Sequence, residues 1–499
     1  MKKTKLLSWV CLLCVLISVL MPTVSAAEAP AGKSTAIYLA DADSGYVYYE
    51  RNANNKVYPA SLTKIMTAML AVEAIERGEV SLDDMVTAQE GFDFDMEADG
   101  STSGIVLGET MTLKDLLYCT LMASANEACN IVGMYISGDV ASFVELMNRR
   151  AGELGCKNTH FANTHGLPNE NHYTTAYDMF LITRQAMEYD LFATICDTAE
   201  YTVQPTNKSD VRALLNTNGL INPNSEMYKG YYYEPAMGVK TGHTNAAGYC
   251  LISAAEKDGI RMYCVVMGGV MTEDANGVID HSSFSDTIAL YDWVFENYTR
   301  IDLVKAEELI TEVPVTLGSD ADSIPLRAQN PISAVIANDA DLSQLKKALT
   351  IYGEEGSCQA PIDEGQVLGE MTVSLNGVEY GSTYLVANRS VDLSYLQSMG
   401  AAIRNTLKNT WVRLGLFLVL AVVIGYAVLV IRYRITYRKR QKELQQARLQ
   451  RQQMQEQAQR ERMFADAKRQ SYRSRSGEQT PPPSDVTRDY FEEFFRDDK

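Results

Sequence analysis

A serine and a lysine three residues apart, Ser61 and Lys64, are the pair in this chain best suited to chemistry. Apolar residues recur at helical spacing from position 61 and a glycine follows Arg77, which predicts a helix over about residues 61–77. Side chains at i and i+3 share one face of a helix, so the amine can reach the hydroxyl. A lysine whose pKa is lowered by burial and nearby positive charge can deprotonate a serine.

The simplest alternative is that Ser61 only caps the helix. A capping box places Glu or Gln three residues after the serine, but this chain has Lys64 there. A cation in the first turn also opposes the positive end of the helix dipole. Helix stability therefore does not explain the pair, whereas a nucleophile with its base does.

Two further motifs follow in order. The first is Ser124-Ala-Asn126, and the second is Lys240-Thr-Gly242, which occurs once in the chain. The Ser-x-x-Lys pattern also occurs at 343–346 and the Ser-x-Asn pattern also occurs at 374–376, so each of these two patterns is a weak signal alone. Three motifs in this order are a much stronger signal of one active site.

These residues together describe acyl transfer. Ser61 is the nucleophile, and its backbone N–H at a helix N-terminus suits a developing oxyanion. Lys64 is the general base for acylation. Ser124 is placed to relay a proton to the leaving amine, and Asn126 to hydrogen-bond a substrate amide.

The third motif predicts how the substrate is held. Lys240 adds positive potential that lowers the pKa of the other lysine and attracts a carboxylate. Thr241 can hydrogen-bond that carboxylate, and Gly242 lets the substrate backbone lie against a strand. The predicted substrate is a peptide with a free C-terminal carboxylate. The cysteines outside the predicted signal peptide form no CxxC pair, so neither a metal nor another cofactor is expected.

The elements around the motifs predict an α+β catalytic domain over residues 34–300. A hairpin is expected over 36–50, helices over 113–122, 127–136 and 175–186, and a closing helix over about 285–297. Apolar runs at 248–255 and 261–267, separated by a short turn, predict antiparallel strands beside the Lys240 motif.

From about residue 302, the sequence pattern becomes typical of short strands. Residues 367–375 and 378–386, joined by Asn376-Gly377, give the clearest hairpin signal in the chain. This segment lacks clustered nucleophiles or bases, which predicts a small β-rich domain over 302–398.

Both ends of the chain carry membrane signals. A basic head, an apolar core and small residues at 24–26 predict a signal peptide over 1–26. Residues 414–431 carry no charge and are long enough for one transmembrane helix. A dense basic cluster follows at 432–442, which predicts a membrane-anchored chain with an extracytoplasmic catalytic domain and a cytoplasmic tail over 432–499. The tail is expected to be helical, then disordered. Its acidic and aromatic end at 490–495 is either a plain solvated tail, which its composition favours, or a docking segment for a cytoplasmic partner.

Charge and cysteine usage narrow the function further. The chain has 63 acidic and 45 basic residues, and 17 of the basic ones follow residue 431, so the exported part is strongly acidic. This argues against nucleic acid as a partner. Seven of the nine cysteines lie outside the predicted signal peptide, and we expect most to be small buried apolar side chains.

The three motifs resemble those of penicillin-binding proteins and serine β-lactamases. The longer segments 58–67, 165–168, 172–178 and 240–249 are more similar to D-alanyl-D-alanine carboxypeptidases. This resemblance covers residues 34–300 strongly and the β-rich segment more weakly. It implies a transpeptidase-like fold, with an antiparallel sheet flanked by helices and a helical lobe. It also implies removal of D-alanine from peptidoglycan stem pentapeptides through an acyl-enzyme, inhibition by β-lactams, and a backbone N–H of His243 that completes the oxyanion hole.

The chain departs from this family pattern in three respects. Its second motif reads Ser124-Ala-Asn-Glu127, whereas the family more often has Ser-Gly-Asn-Asp. It is predicted to have a membrane span and a tail, whereas family members are commonly held at the membrane by an amphipathic C-terminal helix. No arginine can be matched to the substrate carboxylate. The alternatives left open are a β-lactamase, a D,D-endopeptidase or transpeptidase, and a membrane-bound β-lactam or cell-wall sensor without significant turnover.

Overall fold

The computed structural model describes residues 28–97, 100–225, 227–353 and 356–473. The predicted signal peptide and the predicted disordered end therefore lie outside the described residues. The helices are α1 Thr63–Glu76, α2 Leu113–Leu121, α3 Asn126–Ser137, α4 Val140–Glu153, α5 Ala176–Ala186, α6 Asp190–Cys196, α7 Ser282–Asn297, α8 Tyr395–Lys408 and α9 Thr410–Arg473. Short 3-10 turns lie at Ala60–Leu62 and Leu342–Gln344.

The strands number nineteen in the described residues. They are β1 Ala36–Asp41, β2 Val47–Arg51, β3 Met85–Thr87, β4 Thr110–Thr112, β5 Glu200–Val203, β6 Arg212–Leu215, β7 Ala236–Thr244, β8 Gly248–Lys257, β9 Ile260–Gly269, β10 Met271–Glu273, β11 Ile279–His281, β12 Tyr298–Val304, β13 Leu309–Thr316, β14 Ser323–Ala328, β15 Ile332–Ala337, β16 Leu345–Ile351, β17 Cys358–Gln359, β18 Val367–Leu375 and β19 Val378–Ala387.

A five-stranded antiparallel sheet, in the order β2-β1-β9-β8-β7, supports the first part of the chain. Successive side chains of a strand point to opposite faces. Tyr38 and Ala40 of β1 accordingly share a core with helices α1 to α6, whereas Ile37 and Leu39 pack with Tyr291 of α7. The predicted α+β domain, with helices on both faces of its sheet, is therefore confirmed.

Helix α1 is buried along almost its whole length among the helices of the lobe. It begins at Thr63, two residues later than the sequence predicts, because Ser61 lies in the 3-10 turn that precedes it. Leu62 occupies the cap position, and no side chain caps the helix. The alternative in which Ser61 serves only as a cap is therefore wrong.

The second part of the chain forms a β-rich domain, as the sequence predicts. Its main sheet has the order β16-β18-β19-β14-β13-β17, and β12 pairs with β15 beside it. The expected hairpin of β18 and β19 turns at Asn376 and Gly377, whose φ angles of 52° and 84° fit a two-residue turn.

A separate C-terminal unit contains α8 and α9. Among the described residues, one helix is long and apolar enough to cross a membrane, and it is α9, with a mean hydropathy of 3.0 over its most apolar window. Its apolar side chains are exposed rather than packed. The helix continues without a break into the predicted helical part of the tail.

All seven cysteines of the described residues are free thiols. Six of them are buried and Cys156 is partly buried, which confirms their expected role as small apolar side chains.

Candidate active site

The Ser61–Lys64 pair is assembled as its spacing predicts. Lys64 Nζ lies 2.9 Å from Ser61 Oγ, and the lysine side chain is fully buried. The same nitrogen lies 2.7 Å from Asn126 Oδ1 and 2.8 Å from the backbone oxygen of His165. Asn126 belongs to the second motif, so two of the three motifs meet at this nitrogen.

The three neighbours fix how a neutral Lys64 amine is oriented. An amide oxygen and a backbone carbonyl can only accept hydrogen bonds. The two N–H bonds of the neutral amine therefore point to Asn126 Oδ1 and His165 O, which leaves the nitrogen lone pair facing Ser61 Oγ. This is the arrangement that a general base requires.

The surroundings of Lys64 favour the neutral amine. Burial lowers the pKa of Lys64 to about 8, although the nearby thiol of Cys129 and carboxyl of Glu127 oppose the shift. Glu127 is itself buried and accepts hydrogen bonds from Thr102 Oγ1 and Ser103 N, each at 2.7 Å. The lysine is thus far closer to its free-base form at neutral pH than an exposed lysine would be.

Lys240 lies in β7 and is also buried. Its Nζ donates a 3.0 Å hydrogen bond to the backbone oxygen of Thr241. Burial and then the charge of Lys64 lower the pKa of Lys240 to about 7. The sequence predicts that Lys240 lowers the pKa of Lys64, but burial is what lowers it, and the charge of Lys64 instead lowers the pKa of Lys240.

The second motif lies where α2 ends and α3 begins. Ser124 has a φ of 60°, and its side chain lines the pocket that also contains Ser61. The backbone N–H of Asn126 donates to Ser101 O at 2.9 Å, which ties the motif to the segment from residue 100. Gly100 sits so close that an added Cβ would lie 2.7 Å from Asn126 Nδ2.

Strand β7 brings the third motif alongside the N–H of Ser61. A Cβ added at Gly242 would lie 3.0 Å from Ser61 N and 3.3 Å from Leu62 N. A side chain at this position would therefore crowd the space through which a carbonyl oxygen approaches that N–H. His243 follows at the exposed edge, where its ring stacks on Tyr249 with centroids 4.2 Å apart.

A pocket of about 660 Å³ opens above this cluster. The predicted site residues Lys64 and Lys240 are buried. The other six line the pocket: Ser61, Ser124, Asn126, Thr241, Gly242 and His243. Among the described residues, no arginine lines this pocket.

Sequence reasoning missed several residues of the pocket wall. Thr217 follows β6, and its Oγ1 lies 2.7 Å from Thr241 Oγ1, so two hydroxyls meet at the third motif. Tyr228 and His281 contribute an aromatic wall. The only sequence signal near Thr217 is its position between two asparagines, which is typical of a loop and not of a binding site.

The two chance motif matches lie elsewhere. Ser343 and Lys346 are exposed in the β-rich domain, where Asp341 caps the 3-10 turn through the N–H of Ser343. Ser374 and Asn376 belong to the β18–β19 hairpin. Neither match lies in the pocket.

Comparisons with known proteins agree with this geometry. Residues 23–270 match the family described as D-alanyl-D-alanine carboxypeptidase, and residues 298–393 match the C-terminal domain of penicillin-binding protein 5. The chain is 33% identical over 340 residues to D-alanyl-D-alanine carboxypeptidase DacF of Bacillus subtilis, covering 68% of this chain and 81% of the relative. It is 30% identical over 378 residues to D-alanyl-D-alanine carboxypeptidase DacC of Escherichia coli, covering 74% and 88%.

A solved structure shows the same fold. Penicillin-binding protein 5 from Haemophilus influenzae superposes with a TM-score of 0.56 at 28% identity, covering 73% of this chain and 99% of that one.

Proposed function

Because this chain belongs to the D-alanyl-D-alanine carboxypeptidase family and is a serine hydrolase, we propose that Ser61 forms the acyl-enzyme that releases the terminal D-alanine of peptidoglycan stem peptides. The observation that carries this assignment is the position of Lys64 Nζ, 2.9 Å from Ser61 Oγ and held by two neighbours that can only accept hydrogen bonds.

In the acylation step, Lys64 takes the proton of Ser61 as Oγ attacks the carbonyl carbon of the penultimate D-alanine. The negative oxygen that forms accepts hydrogen bonds from the backbone N–H groups of Ser61 and His243. The bond to the terminal D-alanine breaks, and the leaving amine receives the serine proton by way of Lys64 and Ser124. A water molecule then cleaves the acyl-enzyme and Ser61 regains its proton.

The substrate is held at the opposite wall of the pocket. Its terminal carboxylate accepts hydrogen bonds from Thr241 and Thr217, whose hydroxyls already lie 2.7 Å apart, and the protonated form of Lys240 in β7 adds positive potential. Asn126 hydrogen-bonds the substrate amide. A β-lactam carries a comparable carboxylate beside a reactive carbonyl, so it acylates Ser61 and inhibits the enzyme.

We assign the membrane attachment to α9. The apolar helix is the candidate anchor, and the basic residues after position 431 favour a cytoplasmic position for the tail over residues 432–499. The catalytic domain then lies outside, where peptidoglycan is found. Partner docking by the end of the tail remains a prediction from its composition.

The direct test uses the full chain in detergent with a stem pentapeptide and a fluorescent penicillin. We expect D-alanine release and a covalent penicillin adduct on Ser61. Ser61→Ala should abolish both, whereas Ser343→Ala, in the exposed chance match, should leave both unchanged. Intact-mass detection of an adduct on folded Ser61→Ala would refute the assignment of the nucleophile.

Two alternatives give different results in the same assay. A sensor would form the adduct but release no D-alanine. An endopeptidase would cleave cross-linked dimeric stem peptides faster than the pentapeptide.

A further inference from the structure

The backbone just before the nucleophile is held in an uncommon conformation. Ala60 is fully buried and has a φ of 47°, in the left-handed region that alanine rarely adopts. A conformation of this kind persists only when surrounding contacts determine it. The contacts around Ala60 are therefore informative about how the site is built.

A directed hydrogen-bond chain ends on the carbonyl oxygen of Ala60. The backbone N–H of Ala162 donates to His172 Nδ1 at 3.1 Å, so Nδ1 is the unprotonated nitrogen. His172 Nε2 therefore carries the hydrogen and donates to Thr63 Oγ1 at 2.8 Å. Thr63 Oγ1 in turn donates to Ala60 O at 2.9 Å. Because the chain starts at an obligate donor and ends at an obligate acceptor, every proton in it has one possible position.

The chain is shielded from water and from changes in charge. Thr63 and His172 are both almost fully buried. Burial, with help from the charges of His160 and Lys64, lowers the pKa of His172 to about 3. The imidazole therefore stays neutral at physiological pH, with its two nitrogens in fixed roles.

The same loop holds Ala60 from a second side. A Cβ added at Gly166 would lie 1.8 Å from Ala60 O, so only glycine permits this approach. Thr67, one turn further along α1, donates to Thr164 O at 2.6 Å. The segment 164–172 thus contacts the 3-10 turn at Ala60 and α1 at Thr63, Lys64 and Thr67.

The Ala60 carbonyl and the Ser61 N–H belong to one planar peptide unit. In a trans peptide these two groups point in opposite directions. Fixing the direction of Ala60 O therefore fixes the direction of the Ser61 N–H, which is one of the two oxyanion donors in the proposed function. The space that a Gly242 side chain would fill lies 3.0 Å from Ser61 N.

We propose that His172 is a positioning residue for the oxyanion hole: acting through Thr63, it orients the peptide unit that carries the Ser61 N–H. This inference rests on the proposed function. It assigns a purpose to a histidine more than 100 residues away from the nucleophile along the chain.

Thr63→Val, Thr63→Ser and Thr67→Val provide the test, in the full chain in detergent. Thr63→Val removes the hydroxyl with little change in volume and should lower kcat for the pentapeptide and the acylation rate with penicillin by roughly 10- to 100-fold. This is less than the loss of about 10²–10³-fold on removing an oxyanion donor outright. KM should change less than threefold or so, because the donor acts on the transition state. Thr63→Ser should restore the wild-type rate.

Thr67→Val is the matched control. It removes an equally buried hydroxyl that bonds the same loop from the same helix, but it does not touch the Ala60 peptide. Its melting temperature should fall about as far as that of Thr63→Val, while its acylation rate stays near wild type. If both valine variants lose rate in proportion to stability, Thr63 is only structural and the proposal is wrong.

Two further results separate the proposal from its premise. In the Thr63→Val background, His172→Gln should cost little further rate, because both changes interrupt one chain; a full additional loss overturns the proposal. If the wild-type chain forms no adduct on Ser61 at all, the proposed function fails instead. Should Thr63→Val not fold, His172→Gln alone, compared with Thr67→Val, applies the same criterion.

Discussion

At the scale of single residues, an amine held by two acceptors is a base only above its own pKa, so the protonation of Lys64 sets the pH range of catalysis. Burial is the main cause that brings this pKa to about 8. In the same pocket, the hydroxyls of Thr217 and Thr241 are the proposed donors to the substrate carboxylate, and among the described residues no arginine lines that pocket.

The first prediction concerns pH. Protonated Lys64 cannot accept the serine proton, so the acylation rate with penicillin should rise with pH and level off above an apparent pKa of about 8. Stopped-flow measurements of adduct formation across this range give the profile. Lys64→Arg should be inactive at every pH because guanidinium stays protonated, whereas Lys240→Arg should retain part of the activity. A rate that is flat or falls with pH would contradict the role of Lys64 as base.

The second prediction concerns the substrate carboxylate. Thr217→Val removes one of two donors and should raise KM for the pentapeptide by roughly 10- to 100-fold, in line with about 1.5–3 kcal/mol for one hydrogen bond to a charged group. Thr217→Ser keeps the hydroxyl and should behave like the wild type. A pentapeptide with a C-terminal amide should lose much less from Thr217→Val. An equal loss on both peptides would mean that Thr217 only supports Thr241.

At the scale of elements, the periodic segments were predictable and the supports of the site were not. Helix α1, the β1–β2 and β18–β19 hairpins and the β8–β9 pair follow from apolar spacing and turn residues in their own sequence. The 3-10 turn at Ser61 and the hydroxyl of Thr217 do not, because their conformations are set by contacts between segments far apart in the chain. The acceptor oxygen of His165 lies 101 residues from Lys64, and no local pattern indicates that contact.

The third prediction tests the passage between β7 and the turn that carries Ser61, which is the space through which a carbonyl oxygen approaches the Ser61 N–H. Gly242→Ala places a methyl group about 3 Å from Ser61 N, where it obstructs the approach of the carbonyl oxygen. We expect the acylation rate to fall roughly 10²-fold, as displacements of about 1 Å at reacting atoms do. Gly152→Ala, in α4 with nothing within 4 Å of the added methyl group, is the control and should be neutral or slightly stabilising. Unchanged acylation by folded Gly242→Ala would show that the passage is wider than the structure indicates.

At the scale of the whole molecule, the residues before and after the apolar part of α9 differ in charge as well as in position along the chain. The apolar window of α9 separates an acidic N-terminal part from a tail with 17 basic and 11 acidic residues. A basic cluster on one flank only is the pattern that fixes orientation during membrane insertion.

The fourth prediction is therefore topological. Protease added to intact spheroplasts should digest residues 27–410 and spare a tag placed after residue 499. Replacing the basic residues at 432–442 with glutamine should weaken this orientation, because these are the basic residues nearest the apolar segment on its C-terminal side, where positive charge has the largest effect. Cleavage of the wild-type tag from outside would disprove the orientation, and release of the protein by carbonate would disprove the span.

The free thiols have a consequence for how this protein reaches its folded state. Every cysteine of the described residues is unpaired, and burial raises the pKa of six of them far enough to suppress the reactive thiolate: Cys119, Cys129, Cys156, Cys196, Cys250 and Cys264. The folded state of the described residues therefore needs neither an oxidant nor a disulfide isomerase. The fifth prediction follows: an excess of dithiothreitol should leave the melting temperature of the folded protein unchanged, and a drop would reveal a crosslink. The thiols are exposed while the chain is still unfolded, and in air they can then form wrong disulfides. Refolding in air should therefore trap wrongly paired chains, and dithiothreitol should rescue them.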